Sequence, residues 1–258
     1  MLKTTDIVVV IPLYKENLTV WEEKSLSQCL SVLKRYPIVL VTPQTLNTRF
    51  FEEKYPIDSI ERFDDSFFKD ITGYNTLLLS TQFYERFLKY KYLLIYQLDA
   101  YVFQDLLMQW AEKGYDYIGA PWLKKPVYNF PIISHFMRFQ HKYRLNHHQS
   151  SKQSLYNKVG NGGFSLRKIE SHYQATIDSK NQIENYLAQK RTHFYNEDVF
   201  WATEIPDFSY PEPLEALTFS FDKYPDYCFK LNNHELPFGC HGWYKRKMKK
   251  FWKPVIGF

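Results

Sequence analysis

Cysteine is scarce in this chain of 258 residues: Cys29, Cys228 and Cys240 are the only three. Their odd number and the lack of any CxxC spacing exclude a disulfide framework and a zinc site of ordinary spacing. A reducing compartment fits, so a cytoplasmic location is expected. No apolar run approaches the roughly 20 residues of a membrane span. The N-terminus has no signal-peptide order of basic segment, apolar run and small-residue cleavage site, since Asp6 and the short run Ile7 to Leu13 come at once. Glycine is also sparse, and no GxxxxGKS or GxxxxGKT spacing is present, which excludes a P-loop. Internal repeats, low-complexity tracts and nucleic-acid-binding motifs are absent as well.

What is abundant is apolar and aromatic. Apolar residues make up 45% of the chain and aromatics 19%, which excludes disorder and supplies more rings than a core needs. One domain with elaborations is the expected organisation at this length. The net charge of +5 is concentrated in Lys245, Arg246, Lys247, Lys249 and Lys250. That run reads either as a solvated terminal face or as peripheral contact with an anionic membrane, into which the interleaved Met248, Phe251 and Trp252 would insert.

Periodicity predicts an α/β fold with a mostly parallel central sheet. Ile7 to Leu13 is a continuous β-branched run closed by Pro12, as in a strand buried on both faces. Leu18 to Tyr36 carries Trp21, Leu26, Leu30 and Leu33 at helical spacing, and Ile38 to Val41 is a second buried strand. A helix is predicted from about Tyr74 to Phe87, then a strand over Tyr92 to Leu98, and a short strand over Tyr117 to Pro121. From Leu123 to Lys158 no clean period survives, and that segment is expected to be an acceptor-binding insertion or a lid. The chain thus divides into a nucleotide-binding half (1–121), the insertion (122–158), a donor-sugar and acceptor half (159–244) and a basic tail (245–258). Ligands of such sheets gather beyond the carboxyl ends of the strands, here Tyr14 to Asn17, Thr42 to Gln44 and Asp99.

Four short segments hold the chemistry-bearing side chains. In Gln97-Leu98-Asp99 a carboxylate follows an apolar strand, where it suits Mg²⁺ or Mn²⁺ on a diphosphate or caps a following helix. In Gly160-Asn161-Gly162-Gly163 the glycines let a sugar ring approach the main chain, or make a tight turn. In Asn196-Glu197-Asp198 two adjacent carboxylates open a helix, as general base and orienting group or as a plain cap. In Gly239-Cys240-His241-Gly242 an imidazole stands among glycines and aromatics, as a metal ligand or as a structural side chain.

Taken together and in this order, the segments resemble the GT-A glycosyltransferases: a DxD-type metal motif, a glycine-rich loop, an acidic xED motif and a late histidine. More narrowly, QLDAYVF, YIGAPW, VGNGGFSLR, NEDVFW and LPFGCHGW are similar to a bacterial glycosyltransferase-like family described as a domain of unknown function. The resemblance implies a single GT-A domain and a divalent metal, Mn²⁺ or Mg²⁺, held by Asp99 and His241. Gln97 stands at the first DxD position, where it brings no second negative charge. By the same resemblance Gly162 and Gly163 line the donor sugar, and Asp198 is the base with Glu197 as its competitor. Pro12, Leu13 and Tyr14 lie against the nucleotide, Thr42 near base or ribose, and Tyr74 and Asn75 near uridine or ribose.

The implied activity is transfer of a sugar from a nucleoside-diphosphate sugar, a UDP-sugar first, to an acceptor hydroxyl with inversion. Bacterial surface polysaccharide or a lipid-linked glycan is the expected acceptor. Three rivals stay open on sequence: a sugar- or nucleotide-binding module of the same fold without turnover, a nucleotidyltransferase, and a nucleic-acid binder that reads the basic tail.

Overall fold

The computed structural model describes residues 1–147, 151–189 and 195–258. Residues 148–150, part of the segment left without a period, lie outside the described residues. The run IVVVIP has nowhere to place a polar face, and it forms β1 (Ile7–Pro12), with Ile7 to Ile11 fully buried. Around it β2 (Ile38–Pro43), β3 (Ser59–Phe63) and β4 (Tyr92–Tyr96) pair in parallel. β5 (Ala100–Val102) leaves the sheet; β6 (Tyr117–Ile118) and β7 (Ala120–Pro121) follow, then β8 (Val159–Gly160) and β9 (Phe164–Lys168). The central sheet runs β3-β2-β1-β4-β9-β6, with β9 antiparallel to both neighbours. β10 (Ser220–Phe221) and β11 (Gly239–His241) complete a smaller sheet with β5.

The alternation within β1 divides two cores. Ile7, Val9 and Ile11 face Leu26, Leu30, Leu40 and Leu94, on the side of α1 (Val20–Val32). Val8 and Val10 face Leu77, Phe83, Leu93, Phe200 and Trp201 on the other side. Each fully buried Val or Ile contributes about 1.5–3 kcal/mol, an upper value because a compact unfolded chain already shields part of it. A third cluster, around Trp243 and Trp252, packs beneath the small sheet.

The predicted helix over Tyr74 to Phe87 is two helices. After α2 (Arg49–Lys54), α3 (Ile71–Leu78) is capped by Asp70, and α4 (Thr81–Glu85) starts afresh at Ser80, whose hydroxyl accepts from the Phe83 amide. β3 was not foreseen, because its alternation SIERF leaves four residues half-buried at a sheet edge. α5 (Leu107–Glu112) follows β5. The aperiodic segment contains a helix of 16 residues, α6 (Pro131–Asn146). The run YIGAP splits at Gly119, where a Cβ would stand 2.2 Å from the Gly160 carbonyl oxygen. Next come α7 (Ile169–Asp178), α8 (Lys180–Ala188), α9 (Glu197–Thr203), α10 (Pro213–Phe219), α11 (Pro225–Leu231) and α12 (Lys249–Ile256).

Of the three tail side chains expected at a membrane, Met248 and Phe251 are half-buried and one is sealed. Trp252 is fully buried and stacks on Phe103, and Phe251 packs against Phe229. Among the described residues no helix is long and apolar enough to cross a membrane.

On α7, His172 is buried among Tyr84, Tyr117, Trp201 and Phe208, with Nδ1 2.9 Å from the Lys168 carbonyl. Burial, and then the charge of Arg167, push its pKa down to about 3. The unfolded chain takes up that proton below about 6.5, so stability falls as pH drops from there toward the folded value. His172→Asn should therefore lose less melting temperature between neutral and mildly acidic pH than wild type. Equal losses in both proteins would contradict this assignment.

Candidate active site

A parallel sheet with β1 at its centre changes direction of winding between β1 and β4, and a crevice opens beyond the ends of those strands. Here it is a cleft of about 400 Å³ lined by Pro12, Leu13, Tyr14, Tyr74, Gln97 and Asp99 among others. Lys15 bridges its rim to Glu22 at 2.8 Å, and Glu22 also closes the capping box of α1 with Thr19.

Asp99 stands in the turn from β4 to β5, closed by the Ala100 amide donating to the Gln97 carbonyl at 2.8 Å. It caps no helix. β11 pairs antiparallel with β5, His241 opposite Ala100, so the imidazole meets the carboxylate: Nε2 is 2.9 Å from Asp99 Oδ1. On the other ring nitrogen, Nδ1 is 3.1 Å from Asp222 Oδ1. Lys245 reaches back over Gly242, a residue at φ +67°, to place Nζ 2.9 Å from Asp99 Oδ2. Burial alone would lower the His241 pKa, but Asp99 and Asp222 raise it to about 9. Against the same burial, His241 and Lys245 hold the Asp99 carboxyl well below its ordinary range.

The glycine loop is shaped for space rather than for unusual backbone angles. The positive φ of 105° belongs to Asn161, whose Oδ1 accepts from the Gly163 amide at 2.9 Å. A Cβ on Gly163 would lie 2.2 Å from His241 Nε2 and 2.8 Å from Gln97 Oε1; one on Gly162 would lie 2.0 Å from Glu197 Oε1. The loop thus joins the Asp99–His241 pair to the acidic motif.

Those two carboxylates have different surroundings. Glu197 is sealed, with Oε1 3.0 Å from Arg167 Nη2. Arg167 itself is fully buried, its Nε donating to Ser165 and its Nη1 to the Tyr84 hydroxyl. Burial pushes the Glu197 carboxyl up to about 7 against the pull of Arg167. Asp198 is half-buried and accepts from the Val199 amide at 2.9 Å and, more loosely, from the Gly162 amide at 3.4 Å. Burial and the charge of Asp222 raise its pKa, while those amides oppose the shift.

Two residues proposed from sequence stand elsewhere. Thr42 is fully buried in β2 and absent from the cleft lining. Asn75 is also absent from the lining: its Oδ1 accepts from the Glu197 amide at 3.2 Å and its Nδ2 donates to Asn196, which clamps α3 to α9. Asp222, Arg167 and the role of Lys245 were missed; a lone Arg within the apolar run FSLR was the available signal.

A divalent cation fits the donor set. His241 Nε2 is buried and its contact with Asp99 is not aligned as a hydrogen bond, and the space left by Gly163 faces both that nitrogen and Gln97 Oε1. Carboxylate, amide oxygen and imidazole together suit Mn²⁺ or Mg²⁺, and Asp222 orients the ring from behind. Among the described residues no three of His, Cys, Asp and Glu cluster to hold a metal, so the remaining ligands would have to come from a bound molecule.

A family model described as "Protein of unknown function (DUF5672)" matches residues 58–241, which contain β4, the glycine loop, the acidic motif and His241. The chain belongs to this family. A search of curated proteins finds no match. Among solved structures the chain is similar to the apo form of the glycosyltransferase GlyE of Streptococcus pneumoniae TIGR4, at TM-score 0.54 and 14% identity over 98% of this chain. It spans 62% of the length of that GlyE chain. It is also similar to the galactosyltransferase LgtC in complex with donor and acceptor sugar analogs, at TM-score 0.61 and 12% identity, covering 96% of this chain and 93% of that one. The fold of this DUF5672 member is that of the GT-A glycosyltransferases.

Arg167→Met would strand the Glu197 carboxylate in the core at a cost of about 3–5 kcal/mol. Adding Glu197→Gln should recover a large part of it in urea denaturation. Additive losses in the double variant would show that the pair is not coupled.

Proposed function

We propose that this protein is a nucleotide-sugar-dependent glycosyltransferase whose donor diphosphate lies across Asp99, His241 and Lys245 at the mouth of the cleft. The observation that carries this reading is that His241 Nε2 meets Asp99 Oδ1 and, with Gln97 Oε1, faces the space left by Gly163, beside the crevice between β1 and β4. The nucleoside fills the cleft against Pro12, Leu13 and Tyr14, with Tyr74 as its aromatic wall. A UDP-sugar is the donor expected from the residues that match the resemblance. A divalent cation bound by Asp99, Gln97 and His241 supplies charge to offset the departing diphosphate. Lys245 adds a positive charge at the same place, which offsets diphosphate charge directly where a cation beside neutral Gln97 is held less tightly.

The sugar then extends over Gly162 and Gly163 toward Asp198. Asp198 is the acid of the pair with solvent access, and its raised pKa suits a group that takes a proton. It accepts the proton of an acceptor hydroxyl as that oxygen bonds to the anomeric carbon and the bond from carbon to diphosphate oxygen breaks. Glu197, sealed against Arg167, fixes the start of α9 from which Asp198 projects. Trp122, Tyr128 and Tyr156, at the base of residues 122–158, give the acceptor's sugar rings apolar faces, and a surface or lipid-linked glycan is the acceptor class we favour. One observation supports a second reading, a binding module without turnover: Gln97 leaves the metal site one negative charge short.

Asp198→Asn should lower transfer by two orders of magnitude or more while nucleoside diphosphate affinity stays within about two-fold. Release of free diphosphate nucleotide in the presence of a glycan acceptor reports the rate, and the anomeric configuration of the product checks the step. Inversion agrees with a single displacement; retention, or full turnover by the variant, would take the base role from Asp198.

A further inference from the structure

α6 is amphipathic the wrong way round for a helix at the surface of a water-soluble domain. Ile132, Phe136, Phe139 and Tyr143 recur at i, i+4, i+7 and i+11 on one face and are 87%, 64%, 67% and 54% exposed. The less exposed positions are Ser134, Met137, His141 and Arg144, on roughly the opposite side. The helix is fixed through that polar side: the Gln153 side-chain amide donates to the Met137 carbonyl at 2.6 Å, and His141 Nδ1 lies 2.9 Å from Ser151 Oγ. The base of the insertion is closed by the stacked rings of Tyr128 and Tyr156. A row of four large apolar side chains held outward has a purpose other than the core of this chain.

Charge identifies the occupant. Residues 122–158 contain seven Lys or Arg and no Asp or Glu. Two copies meeting on this face would bring like charges together. An anionic lipid bilayer takes both features, with the rings among the acyl chains and cations such as Arg138 and Lys142 at the headgroups. We propose that α6 is an interfacial helix that seats the protein on anionic membrane, a role separate from the basic tail, whose Trp252 is buried and whose Phe251 is half-buried against Phe229. The insertion leaves from β7 and returns to β8, directly before the glycine loop, so a protein docked through α6 presents its candidate site close to the lipid surface.

Co-sedimentation of the full chain with vesicles of phosphatidylcholine, with and without phosphatidylglycerol, tests this without nucleotide or acceptor, and so independently of transfer. Wild type is expected to sediment only with the anionic vesicles. F136S/F139S should lower the partition coefficient on the order of ten-fold or more at an unchanged melting temperature, because both rings are exposed. R138E/K142E should do the same, and K249E/K250E should leave most of the binding. The proposal is overturned if wild type ignores anionic vesicles, if neither α6 variant weakens binding, or if the tail variant alone abolishes it. A wild-type dimer in solution that F136S/F139S splits would also overturn it and give the face to a second copy.

Discussion

The antiparallel pairing of β5 with β11 puts His241 opposite Ala100, and the rest of the candidate site depends on that register. A slip of one residue would turn the imidazole to the other side of the small sheet, and Asp99 would lose it. The pairing is held from below by Trp243, whose indole nitrogen donates to the Ala100 carbonyl at 3.1 Å, and by the buried ring of Phe238. It also fixes Lys245, because Gly242 turns the chain back at φ +67°. A segment near the end of the chain therefore completes a site that begins at the end of the fourth strand.

Behind this pair stands a second constraint, the buried Arg167–Glu197 ion pair. Arg167 satisfies its donors on Ser165, Tyr84 and Glu197, so β9, α4 and α9 are tied at one point. Such a pair need not stabilise the fold against an apolar substitute, but it specifies where α9 starts. That start sets Asp198 under the Gly162 amide and leaves it the less buried of the two acids. The two acids are thus divided: Glu197 is sealed on Arg167, and Asp198, which accepts from the Gly162 amide of the loop, keeps partial solvent exposure.

The parts of this arrangement that were legible in the sequence are those with a one-dimensional signature. β1 and β4 read as strands because apolar runs buried on both faces have no other solution at that length. Asp99, Glu197 and Asp198 stood out because they follow such a run or open a helix, and His241 because it stands between glycines and aromatics. β3 was invisible because an edge strand with half-buried residues lacks that signature, whereas α6 does carry a helical row, Ile132, Phe136, Phe139 and Tyr143, that the reading passed over among the surrounding polar and aromatic residues. The glycine motif was read for backbone freedom, whereas the positive φ falls on Asn161 and the glycines make room for His241 and Glu197. Thr42 and Asn75 were placed by proximity to strand and helix ends, yet both side chains turn into the protein. Asp222 and Lys245 carry no local pattern at all, since their partners come from other elements.

The central claim is that the cleft between β1 and β4 holds a nucleoside diphosphate against Asp99. The most direct test is a calorimetric titration of nucleoside diphosphates with and without Mn²⁺ into wild type and Asp99→Ala. The account predicts that one nucleotide binds wild type, that Mn²⁺ strengthens this binding, and that the metal effect disappears in the variant. Binding that is equal in both proteins, or absent for every nucleotide with Mn²⁺ present, would contradict it.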